Sequence, residues 1–175
     1  MTEQLLPDLL TPCSPADLYA ALRAAWPDVC QGDPCTRASL LVLLGQWALE
    51  TGWGKSCHRW NLGNAKHVPG DGRDYVQFRC SEVIGGKEIF FDPPNPATSF
   101  AAFSTLDEGA RYYLGSLRHR FAFAWPAVLA GDPAAFSHAL KVAHYYTADE
   151  ALYTHAMVGT VAHAATLIPA DPWRE

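Results

Sequence analysis

The sequence lacks an excess of basic residues. Its 175 residues include 13 Lys and Arg against 18 Asp and Glu, which gives a formal net charge of -5. Proteins that bind nucleic acids usually present a basic surface, because the phosphate backbone is anionic. The acidic balance therefore argues against a nucleic-acid partner.

Long apolar runs are also missing. No segment reaches the roughly 20 consecutive apolar residues of a membrane-spanning helix, so we expect no membrane span. Residues 1–12 include Glu3 and Asp8 but no basic residue and no apolar segment of signal-peptide length. No secretory signal is therefore predicted.

The common metal-ligand spacings are absent as well. The chain contains neither Cys-x-x-Cys nor His-Glu-x-x-His, which are the usual sequence signs of a zinc site. Internal repeats and low-complexity segments are not seen either. We predict no metal ion and no organic cofactor.

The five cysteines leave two interpretations open. They are Cys13, Cys30, Cys35, Cys57 and Cys80. An odd number leaves at least one cysteine without an intrachain disulfide. Cys30 and Cys35 flank a predicted turn, and a bond between Cys57 and Cys80 would join two distant segments. Pairing cannot be read from spacing, so disulfides and buried thiols both remain.

A hydrophobic content of 49% over 175 residues suits a single domain with one core. The most apolar segment predicts a central helix, which Thr36 caps and which Gly52 and Gly54 end. Its apolar residues are Leu40, Leu41, Val42, Leu43, Leu44, Trp47 and Ala48. A helix with almost no polar face is surrounded by protein. Glu50 therefore lies where a core helix reaches the surface.

Glu50 is the first candidate for chemistry. A carboxyl group that is partly shielded from water has a raised pKa and can stay protonated near neutral pH. That state is the one a general acid needs. The alternative is an ordinary solvated glutamate in a last helical turn.

The chain from Tyr75 changes to a period of two, which predicts a β-hairpin that turns at Gly85-Gly86 and returns through 87–91. The residues that share one face are Val76, Phe78, Cys80 and Glu82. Glu82 is an unusual residue for this apolar face unless the face borders a cleft. Glu88 and Asp92 are its competitors for a catalytic role.

Capping signals predict the remaining helices. Ser14 and Pro15 begin a helix that we expect to end near Trp26, before Pro27. Capping boxes at Thr105/Glu108 and Thr147/Glu150 and a cap at Asp132-Pro133 predict the starts of three more helices. A further short helix is expected over 121–129. The Thr105 helix is expected to reach about His119.

Four sequence motifs, and the order in which they occur, resemble those of a known family. They are Ala48-Leu49-Glu50-Thr51-Gly52-Trp53-Gly54-Lys55-Ser56, Asn61-Leu62 with Lys66, Phe100-Ala101-Ala102-Phe103-Ser104-Thr105 with Glu108-Gly109, and Ala143-His144-Tyr145-Tyr146-Thr147 with Tyr153. The family is that of the glucosaminidase-type peptidoglycan hydrolases, glycoside hydrolase family 73, which includes flagellar and autolysin murein hydrolases. One departure occurs where the family often has Asn-x-Phe-Gly-Ile-Lys, because residues 61–66 lack the aromatic residue.

The resemblance implies an α+β, mostly α architecture. We expect an N-terminal arm at 1–14 and one lysozyme-like helical domain at 15–175, with a small β-hairpin lobe at about 67–103. The implied reaction is hydrolysis of a β-1,4 glycosidic bond in the peptidoglycan glycan strand, as an endo-β-N-acetylglucosaminidase.

The resemblance also assigns roles to residues. Glu50 is the general acid, Glu82 matches the carboxylate of the family's β-lobe, and Tyr145 matches the tyrosine that faces the acid across the groove. The predicted substrate-binding residues are Trp53, Asn61, Asn64, Phe103 and Tyr146. For Asn61 and Asn64, amide groups that both donate and accept hydrogen bonds suit an N-acetyl group and sugar hydroxyls.

Other functions remain open at this stage. A lytic transglycosylase would need one acid on the same architecture, and a non-catalytic cell-wall-binding module would keep only the groove. A secreted antibacterial toxin would have an immunity or inhibitor protein as a partner. We expect a monomer that acts in the periplasm or cell wall and arrives by holin-type lysis or a specialised secretion system.

Overall fold

The computed structural model describes residues 3–84 and 87–170, apart from the side chains of 82–84. These residues form six α-helices and five short strands, which confirms the mostly helical α+β class. The helices are α1 (Pro15–Val29), α2 (Arg37–Thr51), α3 (Leu106–Gly115), α4 (Trp125–Ala130), α5 (Pro133–Val142) and α6 (Glu150–Leu167). The strands are β1 (Leu5–Leu6), β2 (Tyr75–Gln77), β3 (Cys80–Ile84), β4 (Lys87–Phe91) and β5 (Ser99–Ala101). No described helix combines the length and the apolar character that crossing a membrane would require.

The central helix α2 forms as its sequence predicts. The side chain of Thr36 accepts a hydrogen bond from the Ser39 amide, and Gly52 ends the helix in the left-handed conformation, with a φ of 55°. Trp47 and Leu44 are fully buried. Burial on all sides stabilises α2 through apolar area removed from water, so the position of its last turn is well determined.

The C-terminal helix α6 packs closely against α2. A Cβ atom added to Gly45 would lie 2.4 Å from Cγ2 of Val161, so only glycine permits this approach. The Thr160 hydroxyl donates a hydrogen bond to the Gly45 carbonyl at 3.0 Å. The close approach brings the first turns of α6 alongside the end of α2.

Four predicted helix boundaries are wrong. The short helix predicted over 121–129 begins only at Trp125 and ends at Ala130. α1 continues to Val29 with Pro27 inside its last turn, and the Cys30 amide still donates to the Trp26 carbonyl at 2.8 Å. α3 ends at Gly115 rather than near His119, and a π-helical turn follows at Ser116–Arg120. α6 is capped by Asp149, whose side chain accepts from the Leu152 amide, and not by Thr147.

The segment that was expected to form one hairpin is divided between two separate sheets. β2 pairs in parallel with β1 and antiparallel with β5, whereas β3 and β4 form their own hairpin in which Cys80 is opposite Phe91. The chain leaves the first sheet at Phe78 and Arg79. The predicted Gly85-Gly86 turn lies outside the described residues.

The N-terminal arm is part of the β-lobe. Leu5 pairs with Tyr75, and the Arg59 guanidinium donates to the Pro7 carbonyl at 2.6 and 2.8 Å. The five cysteines lie within the described residues, and Cys13, Cys30 and Cys57 are thiols. Cys57 is fully buried, and its thiol donates a hydrogen bond to the Asn61 carbonyl at 3.8 Å.

Candidate active site

A cleft of about 750 Å³ lies between the helices and the β-lobe. Its helical side includes Glu50 of α2 and residues of α3 and the π-helical turn, and the opposite side includes Cys80 and Ser81 of β3. Aromatic lining residues are Phe78, Phe100, Tyr112, Tyr113, Phe121, Phe123 and Tyr145. A surface of aromatic and polar groups of this kind suits a carbohydrate chain, since aromatic rings pack on sugar faces and polar groups meet hydroxyls.

Glu50 is a protonatable group in this cleft. Burial raises the pKa of its carboxyl from the ordinary value of 4.5 to about 7, although hydrogen bonds from Tyr153 and Asn64 act in the opposite direction. The Tyr153 hydroxyl donates to Oε1 of Glu50 at 3.4 Å. The Asn64 side-chain amide donates to the Glu50 backbone carbonyl at 2.7 Å. These contacts fix both the carboxyl group and the helix end that carries it.

Two tyrosines, the buried Tyr113 and the half-buried Tyr145, lie near the carboxyl group. Tyr145 donates to the Gly63 carbonyl at 3.1 Å, and Tyr113 donates to Oε1 of Gln46 at 2.6 Å. Burial, and after it the nearby charge of Glu50, raises the pKa of Tyr113 and Tyr145 well above 10. Both phenols therefore stay neutral, and they exclude water without adding charge next to Glu50.

Sequence reasoning missed the contact between Tyr153 and Glu50. The two residues are far apart in the chain, and only the packing of α6 on α2 brings them together. Tyr153 stacks on Tyr146 with ring centroids 3.7 Å apart, which fixes the orientation of its hydroxyl. No local spacing in the sequence carries this information.

The two asparagines have different surroundings. Asn61 is 2% exposed, and its amide donates to the Ala65 and Ala101 carbonyls at 2.9 Å and accepts from the Ala65 amide at 2.8 Å. Its hydrogen-bonding groups therefore hold the loop at 61–65 against β5. Asn64 is in the same loop but contacts Glu50 and is more exposed.

Trp53, Phe103 and Tyr146 are not among the described residues that line the cleft. Trp53 packs against Trp47 and His163, and Phe103 is buried against Tyr112. Tyr146 stacks on Tyr153, and Tyr153 in turn contacts Glu50. Phe103 thus packs on a residue that lines the cleft, whereas the ring contacts of Trp53 are with residues outside it.

Glu82 is on β3, opposite Ile89 of β4, and its side chain lies outside the described part of the structure. Its competitors do not line the cleft within the described residues. Glu88 is exposed on β4, and Asp92 forms a 3.0 Å ion pair with Arg79. β3 itself follows one wall of the cleft through Cys80 and Ser81.

The raised pKa of Glu50 predicts a pH-dependent stability. Between the ordinary value of 4.5 and the folded value of about 7, the folded protein holds a proton that the unfolded chain releases, so the free energy of unfolding falls as pH rises. Relative to Glu50→Gln, the wild type should lose about 2 to 3 kcal/mol between about pH 5 and about pH 8. Urea unfolding of both proteins at the two pH values measures this difference. Parallel stability curves would mean that Glu50 titrates normally.

No protein-family model matches the chain, and no curated protein sequence does. Solved structures do match. The truncated glycoside hydrolase domain of Salmonella typhimurium FlgJ aligns with a TM-score of 0.58 and 19% identity, over 88% of this chain and 96% of that one. A mutant peptidoglycan hydrolase from Sphingomonas sp. A1 aligns with a TM-score of 0.60 and 23% identity, over 86% of this chain and 99% of that one.

A third similar structure is the catalytic domain of the autolysin Auto from Listeria monocytogenes. Its TM-score is 0.54 and its identity 17%, over 88% of this chain and 86% of that one. The protein therefore shares the fold of these three domains, as the sequence resemblance implied. The shared fold spans nearly the whole of each domain.

Proposed function

We propose that this protein is a peptidoglycan hydrolase that cleaves a β-1,4 bond of the glycan strand. The proposal rests on the Glu50 carboxyl group, which lies in an open cleft. Burial raises the pKa of this group to about 7. A carboxyl group in this state can donate a proton at neutral pH. The similarity in fold to peptidoglycan hydrolase and autolysin domains supports the choice of substrate.

Glu50 would protonate the glycosidic oxygen of the leaving sugar. Proton donation from a positioned acid typically accelerates such reactions by about 10² to 10⁴. The Tyr153 hydroxyl at 3.4 Å holds Oε1 of Glu50 in place, so that the other oxygen can face the bond. Proton transfer leaves Glu50 as a carboxylate, which the same hydroxyl stabilises.

Two routes complete the reaction. In the first, Glu82 acts as a base toward water, as in inverting enzymes whose carboxyl groups are about 6.5 to 9.5 Å apart. In the second, the acetamido oxygen of the substrate, which Tyr145 orients, attacks the anomeric carbon as the protonated leaving sugar departs. Water then opens the cyclic intermediate and restores the acetamido group. The first route predicts that Glu82→Gln slows hydrolysis while the exposed control Glu88→Gln does not. Equal rates for both variants would favour the second route.

The charges of the cleft are compatible with peptidoglycan. Lys66, Arg120 and His144 line it, and Glu50 is the one acidic lining residue among those described. Lys66 also lies over the Phe100 ring, with Nζ 4.0 Å from the centroid. Peptide stems carry carboxylates, which Lys66 and Arg120 would attract, while the glycan strand itself meets the aromatic rings.

We further propose cleavage on the reducing side of N-acetylglucosamine, so that the protein is an endo-β-N-acetylglucosaminidase that acts on the cell wall. Asn64 is the cleft amide nearest to Glu50 and can meet an N-acetyl group or a hydroxyl.

Purified sacculi test the enzymatic proposal. Incubation with the protein should solubilise glycan and create new reducing ends in proportion to time. Binding to sacculi without new reducing ends would instead identify a non-catalytic module, and the hydrolase proposal would then be abandoned.

A further inference from the structure

A second cluster of polar side chains lies outside the cleft. Glu3, His67 and Asp71 each present a ligand atom, and these three atoms all lie within 4.8 Å of one another. Nε2 of His67 is 3.2 Å from Oε2 of Glu3. None of the three residues lines the cleft, so the mechanism above does not use them.

The imidazole of His67 is nearly buried, and one of its two nitrogens, Nε2, is the atom of interest. The His67 side chain is 7% exposed, and among the described residues Nε2 makes no hydrogen bond. The short distance to Glu3 therefore lacks hydrogen-bond geometry. A buried polar atom without a partner costs free energy, so this nitrogen needs a ligand.

The surrounding chain holds the cluster in place. The His67 amide donates to the Ser99 carbonyl at 3.1 Å, and its ring stacks on Tyr75 with centroids 4.4 Å apart. The Gly72 amide donates to Oε1 of Glu3 at 2.8 Å, which leaves Oε2 facing His67. Positioning of this kind lowers the cost of binding an ion.

Asp71 is the exposed member of the cluster. Its Oδ1 accepts from the Arg73 amide at 2.9 Å, and its Oδ2 accepts from the Arg73 guanidinium at 2.6 Å. Arg73 pairs with Asp71, and Glu3 brings a second carboxylate to the cluster, so two carboxylates are present with one guanidinium. A divalent cation would offset the charge of the second carboxylate.

We propose that Glu3, His67 and Asp71 bind a divalent transition-metal ion, with Zn²⁺ as the best match. Two ligands of a tetrahedral zinc ion lie about 3.3 Å apart, because each bond is about 2.0 to 2.1 Å long, and the distance between His67 and Glu3 agrees with this. A small inward movement of the exposed Asp71 completes a set of three protein ligands, and water fills the fourth position. An imidazole nitrogen favours zinc and its neighbours in the series over Ca²⁺ or Mg²⁺.

The role of this site is to fasten the N-terminal arm to the β-lobe. Glu3 precedes β1, whereas His67 and Asp71 belong to the loop before β2, and these strands are paired. Bound metal would cross-link two segments that are distant in the chain. Because metal binds the folded form preferentially, it should raise the stability of that form.

Calorimetric titration of the untagged, EDTA-treated full chain with ZnCl₂ tests the proposal. The wild type should bind one ion per chain, and His67→Gln and Glu3→Gln should each weaken binding by at least about 100-fold. His58→Gln is the matched control, because His58 pairs with Asp8 on the same arm but lacks a third ligand group among the described residues. Zn²⁺ at about 100 times its Kd should raise the Tm of the wild type by about 5 to 10 °C.

Cobalt provides a readout that does not depend on stability. Co²⁺ in the wild type and in His58→Gln should give the visible absorption of a tetrahedral site, and the two ligand variants should not. The proposal is overturned if the wild type binds no Zn²⁺, or if His67→Gln and Glu3→Gln bind it as tightly as the wild type. Far-UV circular dichroism of each variant separates loss of a ligand from loss of fold.

Discussion

Glu50→Gln is expected to lower the rate of sacculus digestion by about 10²- to 10⁴-fold, the usual contribution of a general acid. Glutamine keeps the shape of the side chain and can still accept the hydrogen bond from Tyr153, but it has no proton to give at neutral pH. The variant should therefore fold and bind sacculi normally. Release of reducing ends under saturating sacculi measures the effect.

Two comparisons make this result specific. Glu88→Gln changes an exposed glutamate of β4 and should leave the rate unchanged. In the wild type, the rate should fall as pH rises through about 7, because Glu50 then loses the proton that it must donate. Full activity in Glu50→Gln would exclude this residue as the acid.

Gly109→Ala is expected to lower the free energy of unfolding by about 3 kcal/mol, at the upper end of overpacking effects. A Cβ atom at this position would lie 2.2 Å from the Trp60 carbonyl oxygen, and a backbone oxygen cannot rotate away. α3 would have to move from the loop that leads to Asn61 and Asn64. Thermal unfolding should show a Tm lower by about 6 to 12 °C.

Gly159→Ala is the matched control for this prediction. Gly159 is in α6, and a Cβ atom there meets no heavy atom within 4 Å. Alanine in an open helical position should stabilise the protein by about 0.5 to 1 kcal/mol, because it restricts the unfolded chain. Equal effects of the two substitutions would mean that α3 does not approach Trp60 as described.

Local signals explain what the sequence could predict. Thr36 and Gly52 define the bounds of α2, because a cap and a left-handed glycine act within one turn of the helix. The apolar composition of α2 indicates a buried helix, and burial is what raises the pKa of Glu50 at its end. Asp132 likewise caps α5 as expected.

Long-range packing explains what the sequence could not predict. Tyr153 reaches Glu50 only because Gly45 lets α6 approach α2. Asn61 lines the cleft, and its hydrogen bonds to the Ala65 and Ala101 carbonyls depend on contacts between the loop and β5. The spacing of the proposed metal ligands also has no sequence signature, because pairing of β1 with β2 brings them together.

Mass spectrometry of the soluble products from purified sacculi tests the central claim most directly. We expect fragments with new N-acetylglucosamine reducing ends in the wild type and none with Glu50→Gln. Products that end in anhydromuramic acid would assign the chemistry to a lytic transglycosylase. The absence of any soluble glycan fragment would contradict the claim that this protein cleaves the strand.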